Sequence, residues 1–154
     1  MYLYLMRHGE AYSKVEDPAR DLNERGKAEV AKMAMHLKSI HISCHKIFHS
    51  EILRARHTAQ IVAEKLDCLQ KLTVLPSLNV DDDVYSLIVD VEEIKENSLL
   101  VGHLPNMELL SNYLLTGNIN KSTVGFTTAT VICLEKKEDR WILKWGIDPV
   151  SIKN

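Results

Sequence analysis

The chain is poor in the features that mark secreted, membrane-bound or multidomain proteins. It has three cysteines, Cys44, Cys68 and Cys133, an odd number without zinc-ligand spacing. Neither a disulfide framework nor a structural zinc site is expected, and the natural reading is three free, mostly buried thiols in a reducing cytoplasm. No apolar run approaches the ~20 residues that span a bilayer, so no membrane association is expected. The N-terminus enters an apolar stretch without a basic region, a long apolar core or a small-residue cleavage site, and no signal peptide is expected. Neither sign of charge dominates: 19 basic and 21 acidic residues leave a net charge of −2. Nonspecific nucleic-acid binding is therefore not expected. There is no repeat, low-complexity segment or linker, and 154 residues suit one domain spanning 1–154. His36, His41, His45, His49 and His57 carry no motif. His41 and His45 fall in a loop without a matched partner pair, and there is no His-Glu-x-x-His. Neither a metal nor a cofactor is expected.

What remains is a chain that is 45% hydrophobic and 26% charged, the balance of an ordinary globular protein. Tyr2-Leu3-Tyr4-Leu5-Met6 reads as a buried strand. Residues 11–23 are polar and carry Pro18, which makes them a loop. Asn23 is an N-cap candidate for a helix with the stripe Val30, Met33, Leu37 and Ile40. Gly26 in its first turn suggests a close approach to the first strand. Lys46–His49 is a second strand, with Ser50 expected to cap a helix bearing Ile52, Ala55, Ala59, Ala63 and Leu66 on one face. Thr73–Leu75 is a short strand, and Val84, Leu87, Ile88, Val91 and Ile94 mark another amphipathic helix. Ser98–Gly102 is the next strand, and Pro105 suits the first turn of a helix burying Met107, Leu110 and Leu114. Thr128–Leu134 and Trp141–Gly146 read as strands joined by the charged turn Glu135–Asp139. Alternating strands and helices predict an α/β fold: a single three-layer domain, its central sheet mostly parallel, with helices on both faces and an antiparallel C-terminal hairpin at the edge.

Chemistry concentrates where strands give way to helices. Arg7-His8-Gly9-Glu10 directly follows the first strand. Arg7 offers a planar fork of donors that suits phosphate, His8 is a nucleophile if its outward nitrogen is unprotonated, and Gly9 permits a tight turn and the close approach of a ligand. Ser50-Glu51-Ile52-Leu53-Arg54-Ala55-Arg56-His57-Thr58 follows the second strand, and Val101-Gly102-His103-Leu104-Pro105 ends the fourth. Arg54 and Thr58, four apart, share a helix face, whereas Arg56 points elsewhere and reads as solvated or salt-bridged. His103 lies at a helix start, where backbone N–H groups favour anions. In an open α/β sheet, ligands bind beyond the carboxyl ends of the strands, so His8, Arg54 and His103 should converge.

These segments resemble the histidine phosphatase superfamily, whose marks are Arg-His-Gly near the N-terminus, Ser-x-x-x-Arg-Ala-x-x-Thr, and a late Gly-His or Ser-His. All three are present in order, over roughly residues 1–146. The short length, Gly102-His103-Leu104-Pro105 and Leu22-Asn23-Glu24-Arg25-Gly26 are most similar to the SixA-type phosphohistidine phosphatases within it. The resemblance implies a phosphoglycerate mutase-like fold and two-step phosphoryl transfer. Neutral His8 is the implied nucleophile, with Arg7, Arg54 and His103 around the equatorial oxygens and no metal. The substrate would be a phosphohistidine-bearing signalling protein.

Asp81-Asp82-Asp83 falls where larger members carry a general-acid carboxylate, usually a glutamate in a longer insertion. Here the connection is short and has no glutamate, so a helix cap is the simpler reading. An ester oxygen leaving as alkoxide needs a proton donor, whereas the P–N bond of phosphohistidine is more labile. The competing readings are a phosphatase of a small phosphometabolite and a non-catalytic module that binds phosphate or a phosphoprotein.

Overall fold

Alternation along Tyr2–Arg7, strand β1, sends Leu3 and Leu5 to one side of the sheet and Tyr4 and Met6 to the other. All four side chains are buried, so β1 must be an interior strand covered on both faces. That is its place in the computed structural model, which describes residues 1–153. The six-stranded sheet has the order β3-β2-β4-β1-β5-β6, with β2 at Lys46–His49, β3 at Leu72–Val74, β4 at Ser98–Gly102, β5 at Val131–Lys137 and β6 at Arg140–Ile147. The first four strands are mutually parallel, and β5 runs antiparallel to β1 and to β6. The expected α/β architecture with an antiparallel C-terminal hairpin is the one observed.

Helices α1 (Glu24–Ser39) and α2 (Leu53–Lys65) contribute to the core on the side of Tyr4 and Met6. Helices α3 (Val84–Glu92) and α4 (Asn106–Thr116) contribute to the core on the side of Leu3 and Leu5. Asn23 caps α1 as expected, its side chain accepting the Gly26 amide at 2.7 Å. A Cβ on Gly26 would lie 2.0 Å from the Glu10 carbonyl oxygen, so the absent side chain is what lets α1 sit against the segment following β1. Ala55, Ala59 and Ala63 are fully buried on α2, and small side chains here let that helix lie close to the sheet. All three cysteines are free and buried.

Several boundaries differ from the sequence reading. Ser50 does not stand at the cap of α2, which is Ile52, without a side-chain hydrogen bond; the Ser50 hydroxyl accepts the Ile52 amide at 3.1 Å and also meets Asn79 and His103. Ile40 falls just past α1 and is 43% exposed, since the chain turns away through the left-handed His41 (φ 56°). Pro105 stands at the cap of α4 rather than inside its first turn. The third strand lies one residue earlier than expected. The charged segment Glu135–Lys137 belongs to β5, leaving only Glu138-Asp139 as the turn; its cross-strand partners Ile142, Trp141 and Arg140 extend the ladder. No helix is long and apolar enough to cross a membrane among the described residues.

Candidate active site

The site grows from the strand register. Arg7 pairs with Gly102 and His49 with Val101. The ladder then continues one step beyond the strands: the His8 amide donates to the Gly102 carbonyl at 3.0 Å, and the Ser50 amide to the Val101 carbonyl at 3.3 Å. Three adjacent parallel strands thus deliver Arg7-His8, Ser50 and His103 to one edge. The His8 and His103 rings are 5.1 Å apart, centroid to centroid, and tilted by 55°. Both are buried, His8 at 8% and His103 at 2% exposure. Arg54, in the first turn of α2, is half-buried and acts electrostatically on both imidazoles. The four residues singled out from sequence, Arg7, His8, Arg54 and His103, are therefore brought to one place.

His8 is held in a defined orientation. Its Nδ1 lies 2.7 Å from the Gly9 carbonyl oxygen, which can only accept, so Nδ1 carries the proton and Nε2 is the free nitrogen of the neutral ring. Burial pushes the His8 pKa down to about 4; the Gly9 hydrogen bond opposes this, and the charges of Arg54, Arg7 and Arg20 reinforce it. Near neutral pH the Nε2 lone pair is available. Gly9 itself serves packing: a Cβ there would stand 2.6 Å from Val30 Cγ2. The close neighbour is thus α1, where the sequence reading had placed a ligand. The Gly9 amide donates to Thr58 Oγ1 at 3.0 Å, and the Thr58 hydroxyl donates to the Arg54 carbonyl at 2.7 Å.

Arg7 Nη1 donates to the Phe126 carbonyl at 2.9 Å, and Glu108 Oε1 accepts the Phe126 amide at 3.3 Å. The 124–130 segment is fastened to the end of β1, with the Ala129 amide shared between the Arg7 and His8 carbonyls at 3.1 Å each. Burial lowers the pKa of Arg7 against the opposing pull of Glu108, and burial together with Arg20 lowers that of Arg54. Neither shift discharges a guanidinium at physiological pH. Arg7 Nε, Arg54 Nε and His103 Nδ1 are buried without a hydrogen-bond partner. Buried polar groups are rarely left so; two of the three are guanidinium N–H donors short of an acceptor, and the third is a ring nitrogen of His103 beside them.

Residues outside the motifs also contribute. Arg20, in the loop between β1 and α1, has a left-handed backbone (φ 51°), an uncommon conformation for a side chain of its size. Its Nε donates to the Tyr12 carbonyl at 2.8 Å, and its charge reaches His8 and Arg54. The neighbouring Asp21 meets His57 Nδ1 at 2.6 Å, pinning this loop to α2. Sequence reasoning gave neither Arg20 nor His57 a role, because no short-range spacing signals a loop-to-helix contact. Arg56 is exposed, as expected. Asp81, Asp82 and Asp83 are exposed, and Asp83 caps α3 by accepting the Tyr85 amide at 3.1 Å. No three His, Cys, Asp or Glu side chains are grouped to hold a metal ion among the described residues.

The strand ends of a doubly covered α/β sheet thus present a buried neutral histidine among arginines, with a second histidine beside it. The match of residues 3–79 to the histidine phosphatase superfamily (branch 1) makes the membership definite, and the chain belongs to that family. Over 159 aligned positions it is 26% identical to phosphohistidine phosphatase SixA of Escherichia coli K12, covering 99% of this chain and 97% of that protein. The structure of the protein histidine phosphatase SixA complexed with tungstate superposes with a TM-score of 0.86 at 26% identity, covering 99% of this chain and all of that one. A phosphoglycerate mutase from Bacillus anthracis shares the fold, with a TM-score of 0.72 at 14% identity over 94% of this chain and 91% of its own. Family and relatives together support a phosphatase.

Proposed function

We propose that residues 1–154 act as one cytoplasmic domain that removes the phosphoryl group from phosphohistidine on a signalling protein. The reaction would pass through phosphorylated His8 and use no metal. The observation that carries this reading is the state of His8: Nδ1 tied to the Gly9 carbonyl, Nε2 free, and the ring held neutral beside two guanidinium groups. His8 Nε2 attacks phosphorus while the bond to the substrate imidazole breaks. That imidazole leaves already protonated. Arg7, Arg54 and His103 stabilise charge on the equatorial oxygens. Water then attacks the phosphorus of phospho-His8, releasing phosphate and restoring the free ring.

The surroundings of the two imidazoles support this substrate class. No carboxylate is among the charges that shift His8 or His103, and the aspartates at 81–83 are exposed. Glu108 acts on the site through Arg7 and is committed to the Phe126 amide; a site without an assured proton donor for the leaving group favours a P–N bond over a phosphate ester. The likeness to SixA, named as a phosphohistidine phosphatase, supports the same class, and the tungstate complex of SixA is in keeping with an oxyanion cradle here.

The test is a comparison of kcat/KM at neutral pH for a phosphohistidine-bearing phosphotransfer domain, a phosphoserine peptide and sugar phosphates, with and without EDTA. The first should be the best substrate, EDTA should have no effect, and an acid-labile, base-stable adduct should map to His8. Sugar phosphates as the best substrates, with activity collapsing in one of Asp81→Asn, Asp82→Asn or Asp83→Asn, would replace this reading by the small-metabolite one. No adduct and no turnover of any substrate would leave a binding module.

A further inference from the structure

Three partners meet at the Ser50 hydroxyl, which has one proton to give. The Ile52 backbone amide donates to Ser50 Oγ at 3.1 Å. Asn79 Oδ1 and His103 Nε2 each lie 2.9 Å from it. The Asn79 amide has a determined orientation, because the Glu51 backbone amide, which can only donate, points at Oδ1 from 2.9 Å. On its other side, Asn79 Nδ2 donates to Glu51 Oε2 at 3.2 Å. Oδ1 therefore accepts, and the Ser50 proton must go to it. Ser50 has only lone pairs left for His103, so Nε2 of that ring must bear a hydrogen. In the neutral imidazole Nδ1 is then bare, and Nδ1 is the atom buried without a partner.

A bare Nδ1 suits the ligand-free ring but not contact with an oxyanion. An oxyanion placed against it would set one lone pair against another, a costly arrangement in a buried site. A proton on Nδ1 turns the same contact into a charge-assisted hydrogen bond. We propose that Asn79 is a positioning residue which, through Ser50, holds His103 as the Nε2–H tautomer, and that His103 takes up a proton at Nδ1 when an oxyanion enters. The proposal rests on the phosphate-site reading above.

The groups acting on His103 are His8 and Arg7 at the end of β1 and Arg54 on α2; at the end of β2, His49 Nδ1 is bonded to the Ser50 carbonyl at 2.9 Å. Burial first, then His8, Arg54 and Arg7, hold the His103 pKa down at about 3, so the ring is neutral without a ligand. A dianion supplies what is needed to reverse this. The consequence is that binding carries in a proton, at the one site residue whose other nitrogen is already locked.

Sulfate is the suitable probe, since it has no proton of its own near neutral pH. Long-range 1H–15N spectra of histidine-labelled protein should show the Nε2–H tautomer for His103 in the wild type and in Asn79→Asp, which keeps an acceptor for Ser50. In Asn79→Leu, Ser50 is free to donate to Nε2, and the tautomers should mix. Its kcat should fall on the order of 10–100-fold, the scale of losing an orienting partner one shell out, with KM little changed. On sulfate titration both His103 nitrogens should become protonated. Calorimetry in buffers of different ionisation enthalpy should show uptake approaching one proton per sulfate.

An Nδ1–H tautomer in the wild type overturns the proposal. So does a sulfate complex in which His103 stays neutral or the proton resides on His8. Absence of sulfate binding sinks the phosphate-site reading and the proton uptake with it, while the tautomer is still read from the ligand-free spectrum.

Discussion

The Thr58 hydroxyl oxygen accepts the Gly9 amide hydrogen at 3.0 Å while giving its own proton to the Arg54 carbonyl at 2.7 Å. One fully buried side chain thus ties the backbone after the candidate nucleophile to the backbone of the candidate phosphate-binding arginine. The Gly9 carbonyl in turn orients His8 through Nδ1. The spacing of Arg54 and Thr58 on one helical face is what lets the second motif grip the first.

Replacing Thr58 by valine keeps the shape and removes both bonds. The Gly9 amide is then buried without an acceptor, which costs about 1–3 kcal/mol, and the His8 turn loses its anchor. Thr58→Val should lower the urea midpoint and reduce kcat more than it raises KM. Thr58→Ser should recover most of both. A Thr58→Val enzyme with wild-type kcat would show that the anchor does not govern His8.

Arg20 should contribute to oxyanion affinity. Its Nε is held by the Tyr12 carbonyl at 2.8 Å, its backbone is left-handed, and its charge bears on His8 and Arg54. Removing a part-exposed charged donor is worth about 1.5 kcal/mol. Arg20→Ala should therefore weaken sulfate binding and raise KM roughly tenfold, with kcat less affected. The sign for His8 is also set: losing a nearby cation favours the protonated ring, so the acid limb of kcat/KM should move to higher pH. Unchanged sulfate affinity in Arg20→Ala at low ionic strength would exclude a role for this loop in binding.

The parts of the molecule legible in the sequence are those written by local periodicity. The alternation in Tyr2–Met6, the stripe Val30-Met33-Leu37 and the cap at Asn23 each depend on residues within a turn or two. Topology followed from them, and it brought Arg7, His8, Arg54 and His103 together because parallel strands end on one edge. The tight approach at Gly26 was legible too, although its partner proved to be the Glu10 backbone.

What was not legible depends on long-range hydrogen bonds. Ser50 looks like a helix cap by position, but its hydroxyl is shared with Asn79 and His103, and helix α2 starts at Leu53. The Asp21–His57 pair joins two segments 36 residues apart, and nothing in either segment announces the other. The hairpin strands run past the apolar pattern because Glu135 and Lys136 are only half-buried at the end of β5, where pairing with Ile142 and Trp141 continues the ladder.

The last expectation concerns acid. His8 and His103 are folded as neutral rings, with pKa values pushed to about 4 and about 3, in both cases first by burial. In the unfolded chain each returns to about 6.5. Between those limits the unfolded state binds protons that the folded state refuses, so stability rises with pH in this window. The contribution is fully present above about pH 6.5 and is lost progressively as pH falls toward the folded values. Each histidine costs up to about 1.4 kcal/mol per pH unit there. Urea midpoints should thus drop between pH 7 and pH 5, before most carboxylates titrate. His8→Asn, which removes one of the two rings, should roughly halve the slope. Sulfate should flatten it further in the wild type, since an oxyanion in the cradle favours the protonated imidazole. A midpoint constant from pH 7 to pH 5 in the wild type would show that the two rings are not held neutral by the fold.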